Sequence, residues 1–205
     1  MKRLALALLG GSLLVVDWAS AQAASHPAGI ILYTETPAGV ELLLADHASP
    51  SERGWATFGG QAEAGETIAE TAARETEEET HGYFKRAALL AQIKDRKPIF
   101  DGPFAFFFVK VDRVPVEKLA ASSIPANNPA YAERGPYAWV PYAEVARYLS
   151  GESAFPFHLP SRYLPATRNT DWLWPVALHN LLAASEANAL PWKAAKPAAA
   201  ASPHP

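Results

Sequence analysis

The segment from residue 67 to residue 80 constrains the fold most, because it has the pattern of one helix with two different faces. One stripe at the i, i+3, i+4, i+7 spacing of a helix holds only small residues: Ala69, Ala72, Ala73 and Thr76. Small side chains allow a helix backbone to lie close against a sheet. Gly82 supplies the stop signal. The spacing therefore predicts a helix over 67–80 that packs on a β-sheet.

A neighbouring face of the same helix carries carboxylates. Glu75, Glu78 and Glu79 are related as i, i+3 and i+4, so they share one side of the helix. Adjacent glutamates repel one another, and at a helix C-terminus the macrodipole also disfavours negative charge. Oxygen-only, hard ligands in this arrangement suit Mg²⁺ or Mn²⁺. An acidic, solvated helix face is the alternative explanation for any single one of these glutamates.

The register over residues 60–79 is more specific than a charge cluster. Six residues stand at fixed separations: Gly60, Glu66, Arg74, Glu75, Glu78 and Glu79. This stretch resembles the Nudix box, Gly-x5-Glu-x7-Arg-Glu-U-x-Glu-Glu-x-Gly-U, where U is a bulky aliphatic residue. The chain departs from the box at two positions. Thr76 stands at a U position, and His81 stands at the last glycine, with Gly82 one residue later.

The resemblance implies both a fold and an activity. The implied fold class is α/β, a Nudix-type α/β/α sandwich around a mixed β-sheet. The implied activity is Mg²⁺- or Mn²⁺-dependent hydrolysis of a pyrophosphate bond in a nucleoside diphosphate-linked or related small molecule. A non-catalytic Nudix-fold module that binds a phosphorylated ligand or a metal is the alternative, and the intact glutamates argue against it. The family's prenyl diphosphate isomerases usually need a catalytic cysteine, and this sequence has none.

The resemblance also assigns roles to single positions. It implies four metal ligands: the carboxylates of Glu75, Glu78 and Glu79 and the carbonyl of Gly60. Glu66 and Arg74 correspond to the salt bridge that positions the glutamate helix. The catalytic base has two candidates, which are Glu79 and Glu133, a glutamate in the loop before a late strand. A solvated loop carboxylate is the plain alternative for Glu133.

The composition excludes other classes of function. The chain of 205 residues contains no cysteine, which excludes disulfide scaffolds, thiol nucleophiles and zinc ribbons. A formal net charge of −3 provides no basic field for a nucleic-acid polymer or an anionic membrane. The expected partner is therefore a small-molecule diphosphate substrate. The resemblance to the family also implies a homodimer.

The two ends differ in composition from the rest of the chain. Residues 1–21 combine a basic start, a short apolar run and small residues before Gln22, which is the pattern of a secretory signal peptide. The apolar run is shorter than the roughly 20 residues that span a bilayer, and a buried first strand is the alternative. Export would place the protein in the periplasm or outside the cell, and otherwise it is cytoplasmic. Residues 22–190 form the predicted domain, and the Ala- and Pro-rich residues 191–205 a flexible tail.

Apolar periodicity predicts the remaining elements. Residues 29–33 and 40–44 form a hairpin, and strands follow at 55–58, 87–93, 104–111 and 136–140. Further helices are expected at 142–149 and from about 170 to 184. The side chains of Phe104, Phe106 and Phe108 alternate and are expected in the core.

Substrate contacts have weaker signals. A basic cluster that could meet phosphate charge consists of Lys94, Arg96 and Lys97. Four aromatic residues could flank a nucleobase: Tyr33, Trp139, Trp172 and Trp174. Surface solvation for the cations, and packing for the aromatic residues, are the more common roles of such side chains.

Overall fold

The computed structural model describes residues 26–47, 54–122, 127–149 and 156–192. The predicted signal peptide at 1–21 and the tail beyond residue 192 lie outside the described residues. Within the described ranges, one seven-stranded sheet lies between two layers of helices. The same ranges contain no helix that is both long and apolar enough to cross a membrane.

The sheet is mixed. Its strands are β1 (Ala28–Thr36), β2 (Gly39–His47), β3 (Trp55–Ala56), β4 (Phe58–Gly60), β5 (Ile99–Asp101), β6 (Phe104–Lys110) and β7 (Arg134–Pro141). The order across the sheet is β3-β2-β1-β6-β5, with β4 also pairing with β1 and β7 with β2. β1 and β6 run parallel, and the other described pairs are antiparallel. The predicted hairpin is confirmed as β1 and β2.

Helices cover both faces of the sheet. They are α1 (Ile68–Glu79), α2 (Arg86–Ile93), α3 (Val116–Ala120), α4 (Tyr142–Leu149) and α5 (Pro175–Glu186), with short 3₁₀ turns at Pro129–Ala132 and Ser161–Tyr163. The first three helices share a core with one face of the sheet, and α4 and α5 share a core with the other. The predicted α/β/α sandwich around a mixed sheet is therefore confirmed.

The central strand β1 is buried on both faces. Ile30 and Leu32 pack on the side of α1, whereas Ile31 and Tyr33 pack on the side of α5. The sequence of a strand in this position is a continuous apolar run, because both of its faces need apolar side chains. Its partner β4 ends at Gly60, so pairing with the central strand positions the start of the glutamate motif.

The small-residue stripe packs α1 tightly on the sheet. Ala72 and Ala73 are fully buried, and Thr67 caps the helix in a capping box with Glu70. Thr76 is also fully buried, and its hydroxyl donates a hydrogen bond to the Ala72 carbonyl at 2.7 Å. The hydroxyl that replaces an aliphatic side chain in the motif is thus satisfied within the helix. The predicted helix over 67–80 is confirmed.

The prediction of a strand over 87–93 is wrong, because these residues form α2. The segment is rich in alanine and leucine and has one β-branched residue, a composition with higher propensity for helix than for strand. Leu89 and Ile93 are four residues apart and are its buried positions. The spacing of Leu89 and Ile93 therefore indicated a helix rather than a strand.

The last helix begins later than expected. It starts at Pro175 rather than near Thr170, and proline suits the first position of a helix because its missing N–H has no partner there. The residues before it are extended instead. Leu173 forms a parallel bridge with Trp55, and the backbone N–H of Trp174 donates to the Trp55 carbonyl at 2.8 Å.

Trp192 moves the end of the packed domain beyond the predicted boundary at residue 190. Its side chain is buried and lies 4.9 Å from the ring of Tyr33, 5.2 Å from Phe108 and 5.0 Å from Tyr142, measured between ring centroids. The packed chain therefore includes residues 191 and 192, which the composition alone assigned to the tail.

Replacing Trp192 with alanine should lower the free energy of unfolding by about 3 kcal/mol, because it leaves a cavity among three aromatic rings. Phe100, which is 48% exposed, is the matched control, and Phe100→Ala should cost about 1 kcal/mol or less. Urea denaturation followed by circular dichroism measures both. Equal losses in the two variants would show that Trp192 does not anchor the end of the domain.

Candidate active site

The site begins where the end of β4 meets α1. A Cβ atom added to Gly60 would lie 2.5 Å from a carboxylate oxygen of Glu75, so a side chain at this position would displace that carboxylate. Glycine therefore leaves the space that the Glu75 carboxylate occupies. This contact brings the backbone of Gly60 beside the first carboxylate of the helix.

Arg74 joins three carboxylates. Its Nε lies 2.9 Å from Glu66 Oε1, its Nη1 lies 2.9 Å from Glu78 Oε2, and its Nη2 lies 3.0 Å from Glu75 Oε1. Nη2 also donates to the Gln61 carbonyl at 2.8 Å. The salt bridge between Glu66 and Arg74 is present, and the same guanidinium orients two of the three helix glutamates.

These carboxylates differ in how well their charge is stabilised. Burial would raise the pKa of Glu66, but the hydrogen bonds from Arg74, the Glu63 N–H and the Thr71 hydroxyl hold it below its ordinary value. For Glu75, burial outweighs the attraction of Arg74 and raises the pKa to about 7. Glu66 is thus a fixed anion, whereas the charge of Glu75 lacks full compensation. Additional positive charge at Glu75 would favour its ionised form.

Glu79 faces a different cation. One of its oxygens lies 2.5 Å from Arg134 Nε, and the other accepts a hydrogen bond from the Gly59 N–H at 2.7 Å. The side chain is buried, and burial raises its pKa against the opposing effect of Arg134. Among the residues that the structure describes, no three acidic or histidine side chains are grouped to hold a metal. The shared helix face predicted three equivalent carboxylates, and two arginines divide them instead.

The end of α1 is tied to β7. His81, which stands where the motif has glycine, adopts a left-handed backbone conformation with φ of 53°. Its ring lies 3.0 Å from the Arg134 carbonyl through Nε2 and contacts the Tyr137 ring edge-on at 5.4 Å. The Tyr137 hydroxyl donates to the Glu79 carbonyl at 2.9 Å. These contacts hold the unusual histidine in a conformation that glycine adopts more readily.

Glu133 lies on a segment that is braced against α1. Asn128 accepts a hydrogen bond from the Ala130 N–H at 3.1 Å, and its amide nitrogen lies 3.5 Å from Glu78 Oε1. Glu133 follows this turn, is exposed, and lines the same cavity as Glu75 and Glu78. The structure therefore brings the loop glutamate and the helix glutamates to one cavity.

That cavity has a volume of about 960 Å³, and its lining contains two chemically different sets of residues, here called the acidic wall and the apolar wall. The acidic wall contains Gly60, Glu75, Glu78 and Glu79. The apolar wall comprises His47, Phe104, Trp174, Val176, Ala177 and Asn180. The volume lies at the upper end of the range of about 300–1,000 Å³ that is typical of small-molecule sites.

Of the residues that the sequence offered as substrate contacts, only some line the cavity. Trp174 lines the cavity, whereas Tyr33 and Trp139 are buried in the core and Trp172 is exposed outside the described lining. The basic cluster at residues 94–97 also stays outside that lining, and Arg96 donates to a strand carbonyl. In the described part of the chain, the arginines that line the cavity are Arg74 and Arg134.

Sequence reasoning missed Asn128, Arg134 and Asn180. Each is a single polar residue in a segment without motif spacing, and each reaches the cavity only through the tertiary fold. Only Arg134 had a feature in the sequence that could have indicated a place in the site, which is its position directly after the candidate base Glu133.

Comparison with protein-family models decides the family. The NUDIX domain model matches residues 21–158, which is more than half of the chain. The chain belongs to the Nudix family. The matched domain makes it a Nudix-type pyrophosphohydrolase. The matched range ends before α5 begins.

Solved structures of similar proteins include other Nudix proteins. A C. elegans Ap4A hydrolase in a binary complex is 18% identical, with 60% of this chain and 83% of that chain covered and a TM-score of 0.40. A mutT/nudix family protein from Listeria innocua is 19% identical, with 80% and 96% covered and a TM-score of 0.37. No curated protein matches the sequence significantly.

Replacing Arg74 with methionine should destabilise this Nudix domain by about 3 kcal/mol, because it leaves buried carboxylates without their counter-charge. Lys85, whose side chain is 69% exposed and pairs with Glu77 at 3.6 Å, is the matched control, and Lys85→Met should change stability by about 0.5 kcal/mol or less. Urea denaturation at pH 7 measures both variants. A small effect of Arg74→Met would mean that the guanidinium does not hold the site together.

Proposed function

We propose that this Nudix protein uses Mg²⁺ or Mn²⁺ to hydrolyse the pyrophosphate bond of a nucleoside diphosphate-linked or related small molecule. The observation that carries the proposal is the contact set of Arg74, which holds Glu75 and Glu78 in one cavity beside Gly60. This arrangement concentrates oxygen ligands next to a space large enough for a nucleotide-sized molecule.

The donor set fits a hard divalent cation. The carboxylates of Glu75 and Glu78 and the carbonyl of Gly60 would hold it, and all three offer oxygen. Glu79 would join them only after leaving Arg134. The chemistry that such a cation supplies is neutralisation of phosphate oxygens and a lower pKa for the attacking water.

The chain's own residues position the metal ligands and accept the proton from water. Glu66 fixes Arg74, and Arg74 positions the two helix carboxylates, so both act through other residues. Glu133 is favoured over Glu79 as the base that takes a proton from water. Glu133 is exposed to the cavity, whereas both oxygens of Glu79 already bond to Arg134 and Gly59. A general base must be within reach of the proton that it removes.

The replacement Glu78→Gln should reduce hydrolysis about 100-fold or more while leaving the fold intact, because it removes a charged metal ligand. Glu77→Gln on the same helix is the control and should keep nearly full activity, since Glu77 pairs only with the exposed Lys85 among the ion pairs described. Chromatography resolves the products from ADP-ribose, dinucleoside polyphosphates, NADH, nucleotide sugars and nucleoside triphosphates. Parental activity in Glu78→Gln, with the same Mg²⁺ dependence, would refute this metal site.

The replacement Glu133→Gln should lower kcat about 100-fold or more without weakening Mn²⁺ binding, as expected for loss of a general base. Glu63, another exposed glutamate that lines the cavity, is the control, and Glu63→Gln should leave kcat unchanged. Steady-state kinetics and Mn²⁺ titration provide the two readouts. Unchanged kcat in Glu133→Gln would transfer the role of base to Glu79.

A non-catalytic module that binds a phosphorylated ligand or a metal is the second candidate. One observation favours it, which is that Glu79 is occupied by Arg134 and Gly59 rather than facing the other helix carboxylates. The same assay separates the two candidates. Metal binding without cleavage of any substrate in the panel would support the module and contradict the hydrolase.

Two further expectations from the sequence remain predictions. Export to the periplasm or the medium depends on residues 1–21, which lie outside the described residues. Homodimer formation depends on the family resemblance.

A further inference from the structure

The apolar wall of the cavity contains a buried polar group that the fold does not explain. Asn180 on α5 is 1% exposed and lines the cavity, and its amide oxygen has no hydrogen-bond partner among the described residues. Leaving a buried acceptor unpaired destabilises the folded protein. Buried polar groups are paired in the great majority of cases, so this exception calls for a ligand or another specific cause.

An aromatic ring stands on the same wall in a fixed position. The backbone N–H of Trp174 donates a hydrogen bond to the Trp55 carbonyl at 2.8 Å, which attaches the residue to β3. Its ring lies 5.5 Å from that of His47, and His47 Nδ1 lies 2.8 Å from the Gly54 carbonyl. Trp174 is therefore held by the backbone around β3 before any ligand arrives.

The wall continues with an exposed apolar side chain. Val176 is 44% exposed and follows Trp174 closely in the chain, and the half-buried Phe104 completes the apolar lining. An apolar, aromatic surface with few polar atoms is the usual composition of a site for a small organic ligand. The acidic wall, with Glu75 and Glu78, has the different chemistry of a cation and phosphate site.

We propose that Trp174 and Asn180 form a specificity subsite for a nucleobase attached to the diphosphate. The base stacks on the Trp174 indole, and an N–H group on its edge donates to the Asn180 amide oxygen. This subsite rests on the proposed function for the position of the diphosphate. Because α5 follows the range matched by the NUDIX domain model, the subsite is a property of this chain's C-terminal segment.

Binding of ligands that cannot be cleaved tests the subsite separately from catalysis. The probes are α,β-methylene-ADP and methylenediphosphonate, which share a phosphorus–carbon–phosphorus linkage and differ by the nucleoside. Calorimetry on the full chain with Mg²⁺ should show at least about tenfold tighter binding of the nucleotide probe. Asn180→Leu and Trp174→Leu should each weaken that probe about tenfold and leave methylenediphosphonate within about twofold.

Two controls keep the test independent of misfolding. Trp172→Leu removes an exposed tryptophan outside the described lining of the cavity and should leave both affinities unchanged. Asn180→Leu should raise the melting temperature of the unliganded protein by about 2–4 °C, because an apolar side chain of similar size removes a buried amide oxygen that has no hydrogen-bond partner among the described residues. A lower melting temperature would indicate a structural asparagine and contradict the proposal.

Several outcomes would overturn the subsite. Equal affinity of the unmodified protein for the two probes would show that no base is recognised. Variants that bind like the unmodified protein, or that lose both probes equally, would also contradict it. If the predicted pattern appears and the protein hydrolyses no substrate, the proposed hydrolase fails while the nucleobase subsite stands.

Discussion

The ion pairs of Arg74 are the interaction on which the site depends. Glu66, Glu75 and Glu78 converge in a region where their side chains are only 9–14% exposed. Without a shared cation, buried carboxylates at such distances would repel one another and would also be costly to desolvate. One planar guanidinium can bond to several oxygens at once because its donors point in fixed directions. The glutamate helix can therefore keep its charged face inside the protein.

The packing of α1 and the chemistry of the site use the same contacts. The alanine stripe allows the helix to approach the sheet, and the missing side chain at Gly60 admits the Glu75 carboxylate. Arg134 pairs with Glu79 at the other end, so the two arginines divide the three helix carboxylates between them. A Cβ at Gly60 would displace the Glu75 carboxylate, and loss of either arginine would leave a buried carboxylate without its counter-charge.

Local sequence patterns predicted the parts of the structure that local forces determine. The helix over 67–80 follows from its stripe of small residues, and the hairpin follows from two apolar runs around a turn. The strand predicted at 87–93 failed because a short apolar run alone does not distinguish strand from helix. The roles of Arg134 and Asn180 could not be predicted, since these residues reach the cavity only through the packing of β7 and α5 on the rest of the domain. Trp174 was one of four aromatic candidates, and the fold distinguishes it from the other three by placing it in the cavity lining. Nor could helix periodicity show that Glu79 would turn towards Arg134.

Crystals grown with Mn²⁺ and measured at a wavelength that gives anomalous scattering from manganese would show where the metal binds. We expect an anomalous peak between the Gly60 carbonyl and the carboxylates of Glu75 and Glu78, with Arg74 still bonded to Glu66. The same map would show whether Glu79 leaves Arg134 when the metal binds. A peak elsewhere in the molecule, or none at saturating Mn²⁺, would contradict the assignment of this cavity as the metal-dependent active site.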